Sequence, residues 1–71
     1  MNSIYDVQQL LKRFGTFIYT GNRLVDLELM QNEIKEMYTF GLISVEDYRL
    51  ALLLLRQEIN ILNSKKGERH E

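Results

Sequence analysis

The sequence predicts an all-α protein: a compact three-helix bundle with short links and a disordered C-terminal tail. Apolar residues recur at steps of three and four along three separate stretches, which is the spacing of one helix face. The 71-residue chain contains no proline, so every stretch is free to be helical. Its hydrophobic content of 45% is that of a globular domain. We therefore expect a single domain over residues 1–63 and a polar tail over residues 64–71.

The first predicted helix covers residues 4–14. Ser3 and Asp6 have the spacing of a capping box at its start, and Gly15 directly follows its end. Four apolar side chains are predicted to share its core face: Ile4, Val7, Leu11 and Phe14. The connection that follows is unusually apolar for a loop, and we expect Phe17 and Ile18 to cover other helices.

The second predicted helix covers residues 23–40, with Asn22 as its N-cap and Gly41 at its end. Its predicted core face consists of Leu24, Leu27, Met30, Ile34, Met37 and Tyr38. Two further apolar residues, Val25 and Leu29, fall on its outer face. They are plausible docking points for the apolar connection that precedes the helix.

The third predicted helix begins after Ser44, which has the capping spacing with Asp47, and ends at residue 62 or 63. Its predicted core face consists of Val45, Tyr48, Leu52, Leu55, Ile59 and Leu62. A second apolar stripe lies nearly opposite and consists of Leu50, Leu54 and Ile61. Two interpretations of this stripe remain open. Residues 16–20 fold over part of it, or it is an interface with a second copy or a protein partner.

Aromatic and positive residues are concentrated near the N-terminus, although the net charge is −1. Residues 1–25 contain three bases and one acid, whereas residues 26–48 contain one base and six acids. On the outer face of the first helix a ring, an amide and a cation stand in one row, and a further ring and cation bracket the next turn. A row of this kind is suited to stack a base, bind its edge and neutralise a phosphate. The candidate contacts are Tyr5, Gln9, Lys12, Arg13, Tyr19 and Arg23. The alternative is that these positions form an ordinary solvated helix face and a plain turn with its cap.

The sequence contains no catalytic or metal-binding motif. There is no cysteine, and the single histidine, His70, lies in the predicted tail. A metal site or an acid–base catalyst needs side chains held in a defined geometry. We therefore expect neither an enzyme nor a cofactor, a metal or a small-molecule substrate. The N-terminus lacks the pattern of a signal peptide, and no apolar run is long enough for a membrane span. We expect a cytoplasmic protein without a membrane partner.

Several motifs resemble one family of small bacterial proteins. They are DVQQLLK at residues 6–12, then Gly15, Tyr19, Gly21 and Arg23, then Glu33 and EMY at 36–38, and LLRQE at 54–58. Together they resemble the YqgQ-like family over about residues 4–58. The resemblance implies a three-helix bundle that binds single-stranded nucleic acid, and it implies no catalytic residues.

The function predicted from these observations is weak binding of single-stranded RNA or DNA with low sequence specificity. Three phosphate contacts by Lys12, Arg13 and Arg23 would give a log–log salt slope of about −2 for single strands. The alternative is a protein-interaction or homo-oligomeric module that uses the stripe of Leu50, Leu54 and Ile61.

Overall fold

The computed structural model describes residues 1–68, with side chains described through residue 64. These residues form three helices: α1 (Ile4–Arg13), α2 (Arg23–Thr39) and α3 (Val45–Glu68). Residues 1–68 contain no strand. The predicted all-α class and the three-helix architecture are confirmed. The first two helices end within one residue of their predicted limits, which is the ordinary uncertainty of a helix end.

Two of the three predicted N-cap side chains make the expected capping hydrogen bond. The Asn22 side chain accepts a hydrogen bond from the Val25 backbone N–H at 3.1 Å, and Ser44 Oγ accepts one from the Asp47 N–H at 3.1 Å. Ser3 differs, because its side chain makes no cap hydrogen bond. Asp6 Oδ2 accepts instead from the Asn2 N–H at 2.7 Å, one residue before the cap position. The capping box predicted for α1 is therefore wrong.

Both predicted helix-ending glycines have left-handed backbones, at φ 80° for Gly15 and 73° for Gly41. Around each one the chain closes with a pair of Schellman hydrogen bonds. After α1, the Thr16 N–H donates to the Leu11 carbonyl and the Gly15 N–H to the Lys12 carbonyl. The same pair forms after α2. Since an L side chain rarely adopts this conformation, glycine is the residue that lets the chain reverse at these points.

Helices α2 and α3 pack side by side as an antiparallel pair, and α1 packs against both. Near one end of the pair the Tyr38 and Tyr48 rings stack with centroids 4.1 Å apart and planes 9° from parallel. At the other end Arg23 lies 3.8 Å from the Glu58 carboxylate. The buried core between the helices consists of Val7, Leu10, Leu11, Leu27, Met30, Ile34, Met37, Ala51, Leu52 and Leu55.

Three residues predicted for the core are exposed. Phe14 follows the last residue of α1 as its C-cap, so its ring projects past the end of the helix. Tyr38 lies near the end of α2, where one face of its ring stacks on Tyr48 and the rest meets solvent. Val45 begins α3 at the edge of the bundle. All three lie at helix ends, where the core does not reach.

Two buried apolar residues, Leu10 and Ala51, were not predicted. Leu10 lies within one helical step of Val7 and Leu11, which widens the buried face of α1 beyond a single row. Ala51 precedes the predicted core residue Leu52 and widens the buried face of α3 in the same way.

Helix α3 continues to Glu68, past its predicted end at residue 62 or 63. The first part of the predicted tail therefore continues the helix, since that segment contains no proline to end it. Residues 69–71 of the tail, with His70, lie outside the described residues. Within the described part of the chain, no helix combines the length and apolar character that crossing a membrane requires.

Candidate nucleic-acid interface

A surface groove of about 350 Å³ runs between α1 and the connection that follows it. One wall is the outer face of α1, with Tyr5, Gln8, Gln9 and Lys12. The other wall is the extended segment from Thr16 to Tyr19. The floor is apolar, because the buried side chains of Leu11 and Met30 lie beneath it. We call this site the groove.

Three aromatic rings around the groove are largely exposed to solvent. The exposed fractions are 64% for Tyr5, 75% for Phe17 and 88% for Tyr19. Tyr5 and Tyr19 stand on opposite walls. The prediction that Phe17 covers another helix is wrong. The extended backbone alternates its side chains, so Ile18 packs against the core while Phe17 and Tyr19 point outward.

The outer face of α2 contains the two residues predicted as docking points for this connection. Val25 and Leu29 are exposed, whereas the connection lies over Met30 on the buried side of the helix. The connection therefore borders Met30 on the core side of α2, and the outer face of α2 keeps two partly exposed apolar residues.

One cation lines the groove. The Lys12 Nζ lies 6.0 Å from the centroid of the Phe17 ring, at the outer limit of a cation–π contact. The amides of Gln8 and Gln9 stand beside it on α1. Each amide offers both donors and an acceptor, as the edge of a nucleobase does. The site thus combines exposed rings, polar edges and one positive charge over an apolar floor.

The segment that forms the second wall is held at three points. The Schellman hydrogen bonds fix its start at Thr16. In its middle, Ile18 packs against the core. At its end, Asp26 Oδ1 accepts two hydrogen bonds from Thr20, from the backbone N–H at 2.8 Å and from the hydroxyl at 2.7 Å. We call this last contact the Thr20–Asp26 anchor.

The Thr20–Asp26 anchor was not predicted from the sequence. Asp26 is 7% exposed, and it is the one buried charged residue of residues 1–64. A signal was present, because Asp26 lies four residues before Met30 and so shares its face of α2. A carboxylate on a core face needs a hydrogen-bond partner. The sequence does not indicate that Thr20 is that partner.

Comparison with known proteins identifies the family. The family model described as YqgQ-like matches residues 1–61, most of the chain. The chain belongs to the YqgQ-like family. A relative in Bacillus subtilis (strain 168), called "Uncharacterized protein YqgQ", is 46% identical over 59 residues, which is 83% of this chain and 83% of the relative. The resemblance found in the sequence motifs is therefore confirmed.

In this member of the YqgQ-like family, the groove brings together four of the six predicted nucleic-acid contacts: Tyr5, Gln9, Lys12 and Tyr19. Arg13 does not line the groove and instead faces a separate polar depression that includes Asp6 and Asp47. Arg23 lies beside Glu58 of α3. The prediction assigned all six residues to one partner, from the outer face of α1 and the turn after it. The fold separates Arg13, on another side of α1, and Arg23, beside α3, from the four residues of the groove.

The second apolar stripe of α3 is covered only in part. Leu54 is half-buried and packs against the core, so the bundle itself accounts for it. Leu50 and Ile61 remain exposed, as does the neighbouring Leu53. Residues 16–19 line the groove together with α1 and Met30 of α2. No residue of the stripe lines the groove that they border.

Titratable residues in the described part of the chain do not form a metal-binding cluster of three or more His, Cys, Asp or Glu side chains. The acids closest to the groove are engaged otherwise. Asp26 accepts from Thr20, and Asp6 accepts from the backbone of Asn2. The groove is therefore suited to binding through stacking and hydrogen bonds, with a single cation for charge.

Proposed function

We propose that the groove binds single-stranded nucleic acid, RNA or DNA, as the site of a cytoplasmic, non-catalytic binding protein. One observation carries the proposal: the exposed rings of Tyr5, Phe17 and Tyr19 surround an apolar floor. Exposed rings are costly to leave in water, and unpaired bases are a common partner for them. Stacking of a base on such a ring is worth about 1–3 kcal/mol by alanine substitution.

The groove is better suited to stacking bases on its rings than to neutralising phosphates. Lys12 supplies the positive charge of the groove, so we expect one close phosphate contact rather than three. The corresponding log–log salt slope is about −0.7 for a single strand, shallower than the −2 of three contacts. Since every base has a flat face, binding through rings discriminates poorly between sequences. The amides of Gln8 and Gln9 would add a modest base preference.

Fluorescence anisotropy with labelled single-stranded oligonucleotides at low salt tests the proposal. Phe17→Ala should weaken binding by about tenfold, because one stacking platform is lost. Phe40→Ala is the matched control, since Phe40 is 73% exposed but lies after α2 and away from the groove. It should bind as the wild type does. No binding by the wild type, or equal losses in both variants, would overturn the proposal.

A salt series tests the charge term separately. Lys12→Ala should flatten the salt dependence almost completely, because its phosphate contact is the main source of counterion release. Lys35→Ala removes the same charge from an exposed position of α2 and serves as the control. Its slope should match that of the wild type. A wild-type slope near −2 that Lys12→Ala hardly changes would instead assign the phosphate contacts to other cations.

A second candidate function is protein binding or self-association through the outer face of α3. The exposed side chains of Leu50, Leu53 and Ile61 favour it. Leu50→Glu is the suitable variant, because Leu54 is half-buried and its replacement would also destabilise the bundle. Light scattering after size exclusion should show an oligomer for the wild type and a monomer for Leu50→Glu. A wild-type monomer at high concentration rules out self-association.

A further inference from the structure

We infer that Asp26 is a positioning residue for the groove: through the Thr20–Asp26 anchor it holds Tyr19 where a base can stack. The inference rests on the proposed function, since it assigns Asp26 a role in that site. Asp26 does not line the groove. It acts through Thr20, the residue that follows Tyr19 in the chain. Its contribution is therefore to the geometry of the groove wall.

The anchor is a built contact with a buried acceptor. Asp26 Oδ1 receives both the N–H and the hydroxyl of Thr20, at 2.8 and 2.7 Å. The Thr20 hydroxyl in turn accepts from the Asn22 N–H at 3.2 Å. A carboxylate that is 7% exposed has little water to replace these partners. The folded protein therefore strongly favours the conformation in which both Thr20–Asp26 hydrogen bonds are made.

Tyr19 depends on this anchor because its own side chain is held by little else. The ring is 88% exposed, so packing does not fix its position. Its backbone lies between two fixed points, Ile18 in the core and Thr20 on Asp26. Phe17 has a second constraint on its other side, at the Schellman turn. Loss of the anchor should therefore affect Tyr19 more than Phe17.

Thr20→Val tests the inference with a minimal change, because valine has the shape of threonine without the hydroxyl. It should weaken binding of a fluorescein-labelled oligothymidylate by about threefold to tenfold. The reason is that a smaller fraction of the protein holds the second wall in the conformation that binds. Thr20→Ser restores the hydroxyl and should restore affinity. Thr39→Val removes an exposed hydroxyl that donates to the Lys35 carbonyl, far from the groove, and should leave affinity unchanged.

A double-variant cycle separates positioning from general stability. All variants are compared at a temperature where circular dichroism shows each to be fully folded. In a Tyr19→Ala background, Thr20→Val should cause no further loss of affinity, because the ring that it positions is absent. A merely structural role would give the same loss in both backgrounds. Independent, additive losses would therefore overturn the inference.

Backbone ¹⁵N relaxation of the unliganded protein provides a measurement that needs no nucleic acid. Order parameters at residues 19 and 20 should be near 0.85 in the wild type and fall toward about 0.6 in Thr20→Val, which loses the hydroxyl bond of the anchor, while that of Ile18 should stay high. Unchanged order parameters, or binding by the wild type that Thr20→Val leaves intact, would overturn the inference while the proposed function stands. No binding by the wild type would overturn both the proposed function and the role of Asp26 in it.

Discussion

Single side chains decide whether the connection after α1 is a loose loop or one wall of a groove. Of the three consecutive residues Phe17, Ile18 and Tyr19, only Ile18 packs against the core, so the other two rings are turned toward solvent. Asp26 then fixes the end of the segment through Thr20. These contacts explain why exposed aromatic rings persist at a defined position on so small a domain.

The two serine caps show that equal sequence spacing can have unequal effects. Ser44→Ala should lower the free energy of unfolding by about 1 kcal/mol, because Ser44 Oγ accepts from the Asp47 N–H. Ser3→Ala should lower the free energy of unfolding by less than about 0.5 kcal/mol, since Ser3 makes no side-chain cap hydrogen bond. Urea unfolding of both variants measures the difference. Equal losses would contradict the assigned caps.

At the scale of elements, the antiparallel pair of α2 and α3 is the main structural unit, and α1 completes it. Its two ends are marked by different contacts. The stacked rings of Tyr38 and Tyr48 join α2 to the start of α3. The Arg23–Glu58 pair at the other end is half-exposed and long at 3.8 Å, so it contributes little to stability. Register between the two helices therefore depends mainly on the core and the stacked rings.

A double-mutant cycle on Tyr38 and Tyr48 should detect the stacking directly. Leucine at either position keeps an apolar side chain but removes the ring. We expect a coupling free energy of about 0.5–1.5 kcal/mol from urea unfolding of the two single variants and the double variant. If the losses in the free energy of unfolding of the two single variants add up to that of the double variant, the rings make no specific contribution beyond the area they bury.

At the scale of the whole molecule, α3 is longer than the bundle that supports it. It has 24 residues against 17 in α2 and 10 in α1, and the molecule measures 44 × 23 × 19 Å. The fully buried residues of α3 lie at positions 51–55. Among the side chains described through residue 64, the last that packs against the core is Leu62, and a helix beyond its tertiary contacts is only marginally stable.

Hydrogen exchange should reveal that the stability of α3 falls from its buried middle toward its C-terminal end. Amides at residues 51–55 should exchange most slowly, near the rate of global unfolding, whereas those after Leu62 should exchange through local fraying. The measurement is amide exchange followed by NMR at neutral pH. Uniform protection along α3 would show that its last turns are held by contacts other than the core, such as those of an oligomer.

The sequence by itself determined the helices and most of the core. Apolar spacing, two caps and two glycines are local signals, and each depends on residues within one or two helical turns. They placed α1 and α2 within a residue of their limits and identified Leu27, Met30 and Ile34 as buried. The family motifs are local as well, which is why they indicate the YqgQ-like family without any knowledge of how the helices pack.

Only the tertiary structure decided which candidate residues share a surface. Arg13 and Lys12 are adjacent in sequence, but successive helical residues point about 100° apart, and packing of α1 leaves them on different sides. Phe17 and Ile18 have similar apolar character, and the core admits only one of them. The Thr20–Asp26 anchor spans a turn that no spacing rule describes. Grooves and anchors depend on how elements meet. Local spacing can indicate that Asp26 needs a partner, but it does not identify that partner.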